Sequence, residues 1–279
     1  MQKAGIRVMN LGLNGKTALI TGSSSGIGEA IAKTLGEEGV RVVVHGRDKQ
    51  RTGAVVDSIR ASGGWAANAV GDLSDPTGCE TVIQTTRSAI GGSPNILINN
   101  AGGTDHSPQG WASVSPGDWI DSFEQNFFSV IRLLHAFVPE MKVNRWGRIV
   151  NIAGGWAISP AAVMPHYAAA KAALSNVTVS LAQEVSDKGI TVNTVSPGPI
   201  YTPTLERTMR GIAETSDWDT SSWSAIEQRA VKELAPTLVG RLGRAEEIAA
   251  AVAYLVSDKA GFVTSAHFRI DGGFVRSIV

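Results

Sequence analysis

Residues 17–28 read Thr-Ala-Leu-Ile-Thr-Gly-Ser-Ser-Ser-Gly-Ile-Gly, and this stretch decides the fold. It opens with an apolar run between glycines, which is typical of a buried strand. From Ile27 the apolar residues recur at helical spacing, as Ile27, Ile31 and Leu35. The stretch therefore predicts a strand, a glycine turn and a helix. Such a turn lets a ligand approach the backbone, and the start of the helix favours a phosphate. A lone match would suit a purely structural turn equally well, so the interpretation depends on the rest of the chain.

Composition excludes several classes of function. The chain has 279 residues, 43% of them hydrophobic, so it can bury a full core as one α/β domain. Its formal net charge is +0, and the absence of a long basic run argues against nucleic acid or an anionic membrane as a partner. Cys79 is the only cysteine, which excludes an intramolecular disulfide framework and a thiolate metal cluster. Residues 1–13 lack the apolar core of a signal peptide, and no apolar run reaches the roughly 18 residues of a membrane span. We expect a cytoplasmic protein with no metal site.

Strand-like and helix-like segments alternate through the rest of the chain. We expect strands at residues 17–21, 40–44, 65–70, 96–98, 148–152, 189–195 and 267–270, and helices at 27–38, 76–90, 118–141, 167–185 and 245–257. Asp75 before Pro76 predicts a capped helix start. Apolar strands separated by helices predict an α/β fold: a single doubly wound Rossmann-type parallel sheet of about seven strands with helices on both faces. Ligands of such sheets bind beyond the carboxyl ends of the strands.

The domain organisation follows from the same alternation. We expect residues 1–13 to form an N-terminal extension and residues 14–279 to form a single dinucleotide-binding catalytic domain. Residues 203–236 break the rhythm, because they carry helix-like patches and two tryptophans, Trp218 and Trp223, but no strand. We interpret this segment as a substrate lid. A surface insertion packed for stability is the alternative.

Several short motifs share one order along the chain. They are Thr21-Gly22 with Gly26-Ile27-Gly28, Asp72, Asn99-Asn100-Ala101-Gly102, Asn126, Tyr167 with Lys171, and Pro197-Gly198. In order and spacing they resemble the short-chain dehydrogenase/reductase family, and the chain's end is similar to the oxoacyl-reductase-like branch. The resemblance implies an oxidoreductase that transfers a hydride between a nicotinamide cofactor and a carbonyl or secondary alcohol. It also implies a homotetramer, assembled through the long helices and the apolar tail at 274–279.

Tyr167 and Lys171 are the candidate catalytic pair. Positions four apart share one face of a helix, and an ammonium beside a phenol favours the phenolate, which lowers the phenol pKa from near 10. The resemblance implies that the tyrosine exchanges a proton with the substrate while the lysine tunes it and holds the nicotinamide ribose. It also implies that Asn126 marks a local helix distortion holding a proton-relay water. Such a pair also occurs on ordinary helix surfaces, and Asn126 would also suit a solvated position.

The cofactor contacts come from the same resemblance. It assigns them to Gly22, Ser24, Ser25, Gly26, Ile27, Gly28, Arg47, Asp72, Leu73, Asn100, Ala101, Gly102, Tyr167, Lys171, Pro197, Ile200 and Thr202. NADP(H) is favoured over NAD(H), because Gly46 stands where an acidic residue would read a free ribose hydroxyl, and Arg47 follows it. However, many phosphate-selective relatives carry a second basic residue where this chain has Ser25. Arg47 would also suit a solvated loop position.

One position breaks the family pattern. The family's hydrogen-bonding serine lies thirteen residues before the tyrosine, and that position is Gly154. Loss of such a donor typically costs roughly 10²–10³ in rate. Ser159, His166 or a water could substitute for it, the substrate could need no donor, or turnover could have been lost. Alternatively the glycine makes room for a bulky substrate or supplies a positive φ. If turnover has been lost, the alternative function is that of a catalytically weak dinucleotide-binding sensor or partner subunit.

The substrate side is predicted from Gly154 and its neighbour Trp156, which we expect to contact the substrate. Together with Trp111, Trp218 and Trp223, Trp156 is a candidate for the wall of an apolar or aromatic pocket. Each of these tryptophans would also suit core packing.

Overall fold

The fold is built around one parallel sheet. The computed structural model describes residues 9–103 and 110–278. Within those residues the strands are β1 (Thr17–Ile20), β2 (Arg41–Gly46), β3 (Ala66–Val70), β4 (Ile96–Asn99), β5 (Gly147–Ile152), β6 (Ile190–Pro197) and β7 (His267–Ile270). They pair in the order β3-β2-β1-β4-β5-β6-β7, all in parallel. The predicted doubly wound sheet is confirmed, and the order reverses between β1 and β4, where such sheets bind ligands.

Helices cover both faces of the sheet. They are α1 (Gly26–Glu37), α2 (Lys49–Ala61), α3 (Pro76–Ile90), α4 (Pro116–Phe123), α5 (Ser129–Asn144), α6 (Pro165–Val185), α7 (Pro203–Glu214), α8 (Trp223–Glu233) and α9 (Ala245–Val256). The predicted cap of α3 is present, since the Asp75 carboxylate accepts a hydrogen bond from the Gly78 N–H. The sequence prediction missed α2, although Asp48 caps it in the same way.

Alternation along the strands creates two apolar layers. Ala18 and Ile20 of β1 face α1, α2 and α9, whereas Leu19 between them faces α3, α5 and α6. Both layers are closed to water, which explains why the strands read as continuous apolar runs rather than alternating ones. Burial on both faces fixes the register of each strand, and therefore fixes which residues reach the carboxyl edge of the sheet.

The helix predicted at 118–141 is interrupted. It begins earlier, at Pro116, because Ser115 and Asp118 form a reciprocal capping box. Between α4 and α5 the backbone forms a π-helical turn, Glu124–Phe128, that contains the buried Asn126. The expected distortion at Asn126 is therefore present, and a π-turn is a common feature of functional sites.

Part of the predicted N-terminal extension and the insertion at 203–236 pack in apolar clusters. Leu13 is buried in the core and Leu11 packs against it, so these two residues of the extension join the fold. Residues 1–8 of the predicted extension lie outside the described residues. In the insertion at 203–236, Trp218 and Trp223 are partly buried against a separate apolar cluster that includes Met209. This packing favours the alternative for these two tryptophans, in which they stabilise the insertion itself.

Candidate active site

The glycine turn lies against the loop that follows β4. Gly22 has φ +63°, and a Cβ on it would approach the Ala101 Cα to 2.8 Å, so only glycine fits there. The Asn100 side-chain amide donates to the carbonyls of Thr21, at 2.9 Å, and Gly22, at 3.1 Å. Asn100 was predicted to border the cofactor. In the structure its side chain holds the glycine turn in place through these two hydrogen bonds.

A second loop covers the other end of the turn. Gly26 has φ +58°, and a Cβ on it would lie 3.2 Å from the Thr202 methyl carbon. Thr202 caps α7 by accepting a hydrogen bond from the Leu205 N–H. Ile27 packs inward against the core, whereas Ser25 precedes the start of α1 without a capping bond from its side chain. The predicted turn residues and the loop after β6 are therefore brought together at one edge of the sheet.

The end of β2 is tightly packed. A Cβ on Gly46 would lie 2.8 Å from the Ser24 Oγ and 2.9 Å from the Ser24 Cβ, so Ser24 already fills the space an acidic side chain would need. The Arg47 guanidinium lies 3.8 Å from the Asp72 carboxylate. Burial would raise the pKa of Asp72, but hydrogen bonds from Ser74 and the charge of Arg47 outweigh it and hold the pKa below its usual value. The next residue, Leu73, has its side chain in the core.

Tyr167 and Lys171 lie on α6 at the same edge. The Lys171 ammonium donates to the Ile152 carbonyl at 3.0 Å and lies 5.8 Å from the centre of the Tyr167 ring. A Cβ on Gly102 would approach the Lys171 Nζ to 3.0 Å and the Asn126 Oδ1 to 2.6 Å. Lys171 and Asn126 thus meet the loop after β4 at Gly102, and Tyr167 lies beside Lys171.

Asn126 holds this loop by its side chain. Its Oδ1 accepts from the Gly103 N–H at 2.8 Å, and its Nδ2 donates to the Gly103 carbonyl at 2.9 Å and the Ser122 carbonyl at 3.0 Å. Both amide hydrogens are therefore donated to backbone carbonyls, one in the loop and one in α4, while the Oδ1 can accept a second hydrogen bond. The proton relay at Asn126 stays a prediction.

The pKa shifts differ from the sequence expectation. Burial raises the pKa of Tyr167 to about 12 and lowers the pKa of Lys171 to about 8. The expectation that Lys171 lowers the pKa of Tyr167 is therefore wrong for this structure. The reason is geometric, because the ammonium is directed to the Ile152 carbonyl and desolvation dominates both groups. At neutral pH the tyrosine is a phenol that can donate a proton, and most of the lysine is charged.

Gly154 faces the Tyr167 hydroxyl. It has φ 170°, an extended conformation that any residue adopts, so the account based on a positive φ is wrong. Among the described residues, a Cβ on it would meet one neighbour within 4 Å, the Tyr167 hydroxyl oxygen at 3.6 Å. Trp156 stands edge-on to the Tyr167 ring, with the ring centres 6.1 Å apart. The position thus has room for a serine and lies against the candidate acid.

The other proposed substitutes for the serine lie less favourably. Ser159 is exposed, and the ring of the buried His166 packs against Trp119 at 6.2 Å between centres. Trp111 is 67% exposed and packs on Trp119, which leaves Trp156 as the tryptophan beside the candidate acid.

Comparison with known proteins decides the family. The model for short chain dehydrogenases matches residues 16–212. This chain belongs to the short-chain dehydrogenase/reductase family. It is 35% identical to the uncharacterized oxidoreductase YvaG of Bacillus subtilis over 273 residues, covering 97% of this chain and 100% of YvaG. It is 37% identical to the 3-oxoacyl-(acyl-carrier-protein) reductase FabG of Escherichia coli over 264 residues, covering 94% of this chain and 98% of FabG. The crystal structure of L-sorbose reductase from Gluconobacter frateurii, complexed with NADPH and L-sorbose, matches with a TM-score of 0.89 at 32% identity, covering 97% of this chain and 100% of that one.

Two further predicted cofactor residues, Pro197 and Ile200, lie at or just after the carboxyl end of β6. Pro197 ends β6, and Ile200 is buried in a bridge with Gly243. No helix among the described residues is long and apolar enough to cross a membrane, and no cluster of metal-ligating side chains was found within them. The family is an oxidoreductase family, and the solved structures that are similar to this chain include one with NADPH bound.

Sequence reasoning missed two polar residues at this edge. Ser196 donates from its Oγ to the Gly154 carbonyl at 3.2 Å and lies 2.6 Å from the His267 Nε2. His45 lies beside the glycine turn, where its Nδ1 is 3.0 Å from the Gly22 nitrogen. Their partners are more than twenty residues away in sequence, so no local pattern could reveal them. Only the register of β5, β6 and β7 brings Ser196 under the Gly154 loop.

Proposed function

We propose that this protein reduces a carbonyl substrate to a secondary alcohol with NADPH as hydride donor. The observation that carries the proposal is that Lys171 and Asn126 meet at Gly102, with the Tyr167 ring centre 5.8 Å from the Lys171 ammonium, at the edge where the glycine turn also ends. Family membership supports the reaction type.

Tyr167 is proposed as the proton donor. A phenol with a pKa raised to about 12 keeps its proton at neutral pH, so it can give that proton to an oxygen that gains negative charge. The bound nicotinamide would supply the hydride. Lys171 would hold the cofactor ribose with its ammonium, and Asn126 would keep the Gly102–Gly103 loop in place for both.

The preference for NADPH over NADH is proposed from the end of β2. Ser24 leaves no room for an acidic side chain at Gly46, and Arg47 supplies a cation that can pair with a 2′-phosphate. The similar L-sorbose reductase structure contains NADPH, which supports the same preference. The residues proposed to hold the cofactor are those given above from the family resemblance.

Gly154 and Trp156 are proposed to contact the substrate. Trp156 offers an apolar wall beside the phenol, and Gly154 offers open space rather than a hydrogen-bond donor. We further propose that residues 203–236 cover the substrate and that the protein works in the cytoplasm as a homotetramer. These three statements rest on the sequence and the family resemblance.

The test is a steady-state assay of NADPH oxidation by absorbance, over a panel of simple ketones, keto sugars and β-ketoacyl thioesters. We expect turnover on at least one class, and its loss in Tyr167→Phe. The rival function, a sensor or partner subunit, predicts nucleotide binding without turnover, with Tyr167→Phe indistinguishable from the wild type. That outcome would reject the enzyme proposal.

A further inference from the structure

His45 occupies an unusual position beside the glycine turn. It is buried, with 3% of its surface exposed, and it directly precedes Gly46 at the end of β2. Its Nδ1 lies 3.0 Å from the Gly22 N–H nitrogen, and its Nε2 lies 3.1 Å from the Gly71 carbonyl. The imidazole therefore spans from the glycine turn to the loop that carries Asp72.

The two partners determine the protonation state of the ring. A backbone N–H can only donate, so the Nδ1 of His45 must accept and carries no proton. A carbonyl can only accept, so the Nε2 must carry the proton and donate it to Gly71. The geometry fits one form of the ring, the neutral Nε2–H tautomer.

The backbone strengthens the same junction. The Ser23 N–H donates to the His45 carbonyl at 2.8 Å, and the His45 N–H donates to the Ser23 Oγ at 2.9 Å. The Ser23 Oγ in turn donates to the Ile20 carbonyl at 2.7 Å. The start of the glycine turn is thus joined to β2 by main-chain and side-chain hydrogen bonds. The His45 ring links both of them to the loop at Gly71.

We propose that His45 is a positioning residue that fixes the distance between the glycine turn and the Asp72 loop, and so prepares both segments to bind the dinucleotide. The proposal rests on the proposed function, in which the glycine turn and Asp72 both contact the cofactor. Without the ring, the Gly22 N–H would lose its acceptor at the point where the turn must be rigid.

Burial keeps the bridge intact at neutral pH, because it favours the uncharged form of the ring. Burial lowers the pKa of His45 to about 4. The Gly71 carbonyl and the Asp72 charge act to raise this pKa, whereas the Arg47 charge adds a small lowering effect. Asp72 and Arg47 are the charged groups that face the ring, and they act in opposite directions. A proton on Nδ1 would place two donors face to face, so acid should break the bridge to Gly22.

The test compares two variants of His45 with a control variant at an exposed histidine. His45→Phe removes both nitrogens, and His45→Asn keeps an acceptor at the depth of Nδ1. His135→Phe makes the same change on the exposed face of α5. We expect His45→Phe to raise the Kd for NADPH about tenfold, with kcat at saturating NADPH within about twofold, because one buried donor loses its partner. His45→Asn should recover most of the affinity, and His135→Phe should change neither quantity.

Two outcomes would overturn the proposal. One is a His45→Phe variant with unchanged Kd and a lowered Tm, which would leave only a structural role. The other comes from nitrogen NMR of the wild type labelled on histidine, with the His45 signal assigned from the His45→Asn spectrum. A charged ring or an Nδ1–H tautomer at neutral pH would contradict the bridge, even if His45→Phe does not fold. Failure of the wild type to bind any nicotinamide dinucleotide would instead refute the proposed function.

Discussion

Replacing Gly154 with serine tests whether the site lacks a single hydrogen-bond donor. The backbone there is extended and, of the residues that the structure describes, the added Cβ meets only the hydroxyl oxygen of Tyr167, at 3.6 Å, so a serine fits without moving them. Its hydroxyl can then reach an oxygen held against Tyr167. The Gly154 carbonyl is already held by the Ser196 Oγ and the Ala157 N–H, which keeps the new side chain in place.

The size of the gain follows from the geometry. A preorganised donor to a developing oxyanion contributes at least about 2.7 kcal/mol to the transition state. A serine free among three rotamers forfeits about 0.7 kcal/mol of this. About 2 kcal/mol remains, which is roughly a 30-fold rise in kcat for a small ketone with KM little changed.

The assay is NADPH oxidation with a small ketone, and Gly154→Ala is the matched control. Alanine adds the Cβ without the hydroxyl, and at a compatible backbone position it should raise stability by about 0.4–1 kcal/mol rather than lower it. If Gly154→Ser is no faster than Gly154→Ala, the missing donor does not limit the reaction. If both variants lose activity on a bulky substrate but not on a small one, the glycine serves to make room beside Trp156.

Three further predictions follow from the site and the fold. The rate of ketone reduction should fall as pH rises through about 8, because the Lys171 ammonium then loses its proton. Lys171→Arg should remove that decline if the arginine keeps the contact with the Ile152 carbonyl. A flat pH profile in the wild type would contradict the role given to the Lys171 ammonium. In a fluorescence titration, Arg47→Glu should shrink or reverse the preference for NADPH over NADH, whereas Arg47→Lys should retain most of that preference. Equal affinities of the wild type for NADPH and NADH would reject the proposed cofactor preference. Light scattering at micromolar concentration should give the mass of four chains, and a monomeric mass would refute the tetramer. Apolar Ile278 at the exposed tail supports association.

The fold could be predicted because its signals are local. The apolar run before Gly22 and the cap at Asp75 each depend on residues adjacent in sequence, and both were confirmed. The helix α2 was missed because it is short of apolar residues, with Val55, Val56 and Ile59 providing most of its buried face. Its stability comes from packing against the sheet, which a periodicity search does not detect.

The site was predictable only in part. Helical spacing placed Tyr167 and Lys171 on one face, and the family pattern placed Asn126 at a distortion. The direction of the Lys171 ammonium depends on the Ile152 carbonyl, nineteen residues earlier on β5, and so does the failure of the lysine to lower the tyrosine pKa. Such long-range contacts are fixed by strand register, which no single motif contains.

Burial of Tyr167 and Lys171 also bears on the proposed direction of the reaction. Burial raises the pKa of Tyr167 to about 12, so the phenolate needed to take a proton from an alcohol is scarce at neutral pH in the protein alone. The phenol needed to give a proton to a carbonyl is present, and the Lys171 ammonium beside it is mostly charged. Alcohol oxidation would require an added positive charge or higher pH to form the base, whereas carbonyl reduction would start from the protonation states that the protein alone provides. This asymmetry supports the proposed reductive direction at neutral pH.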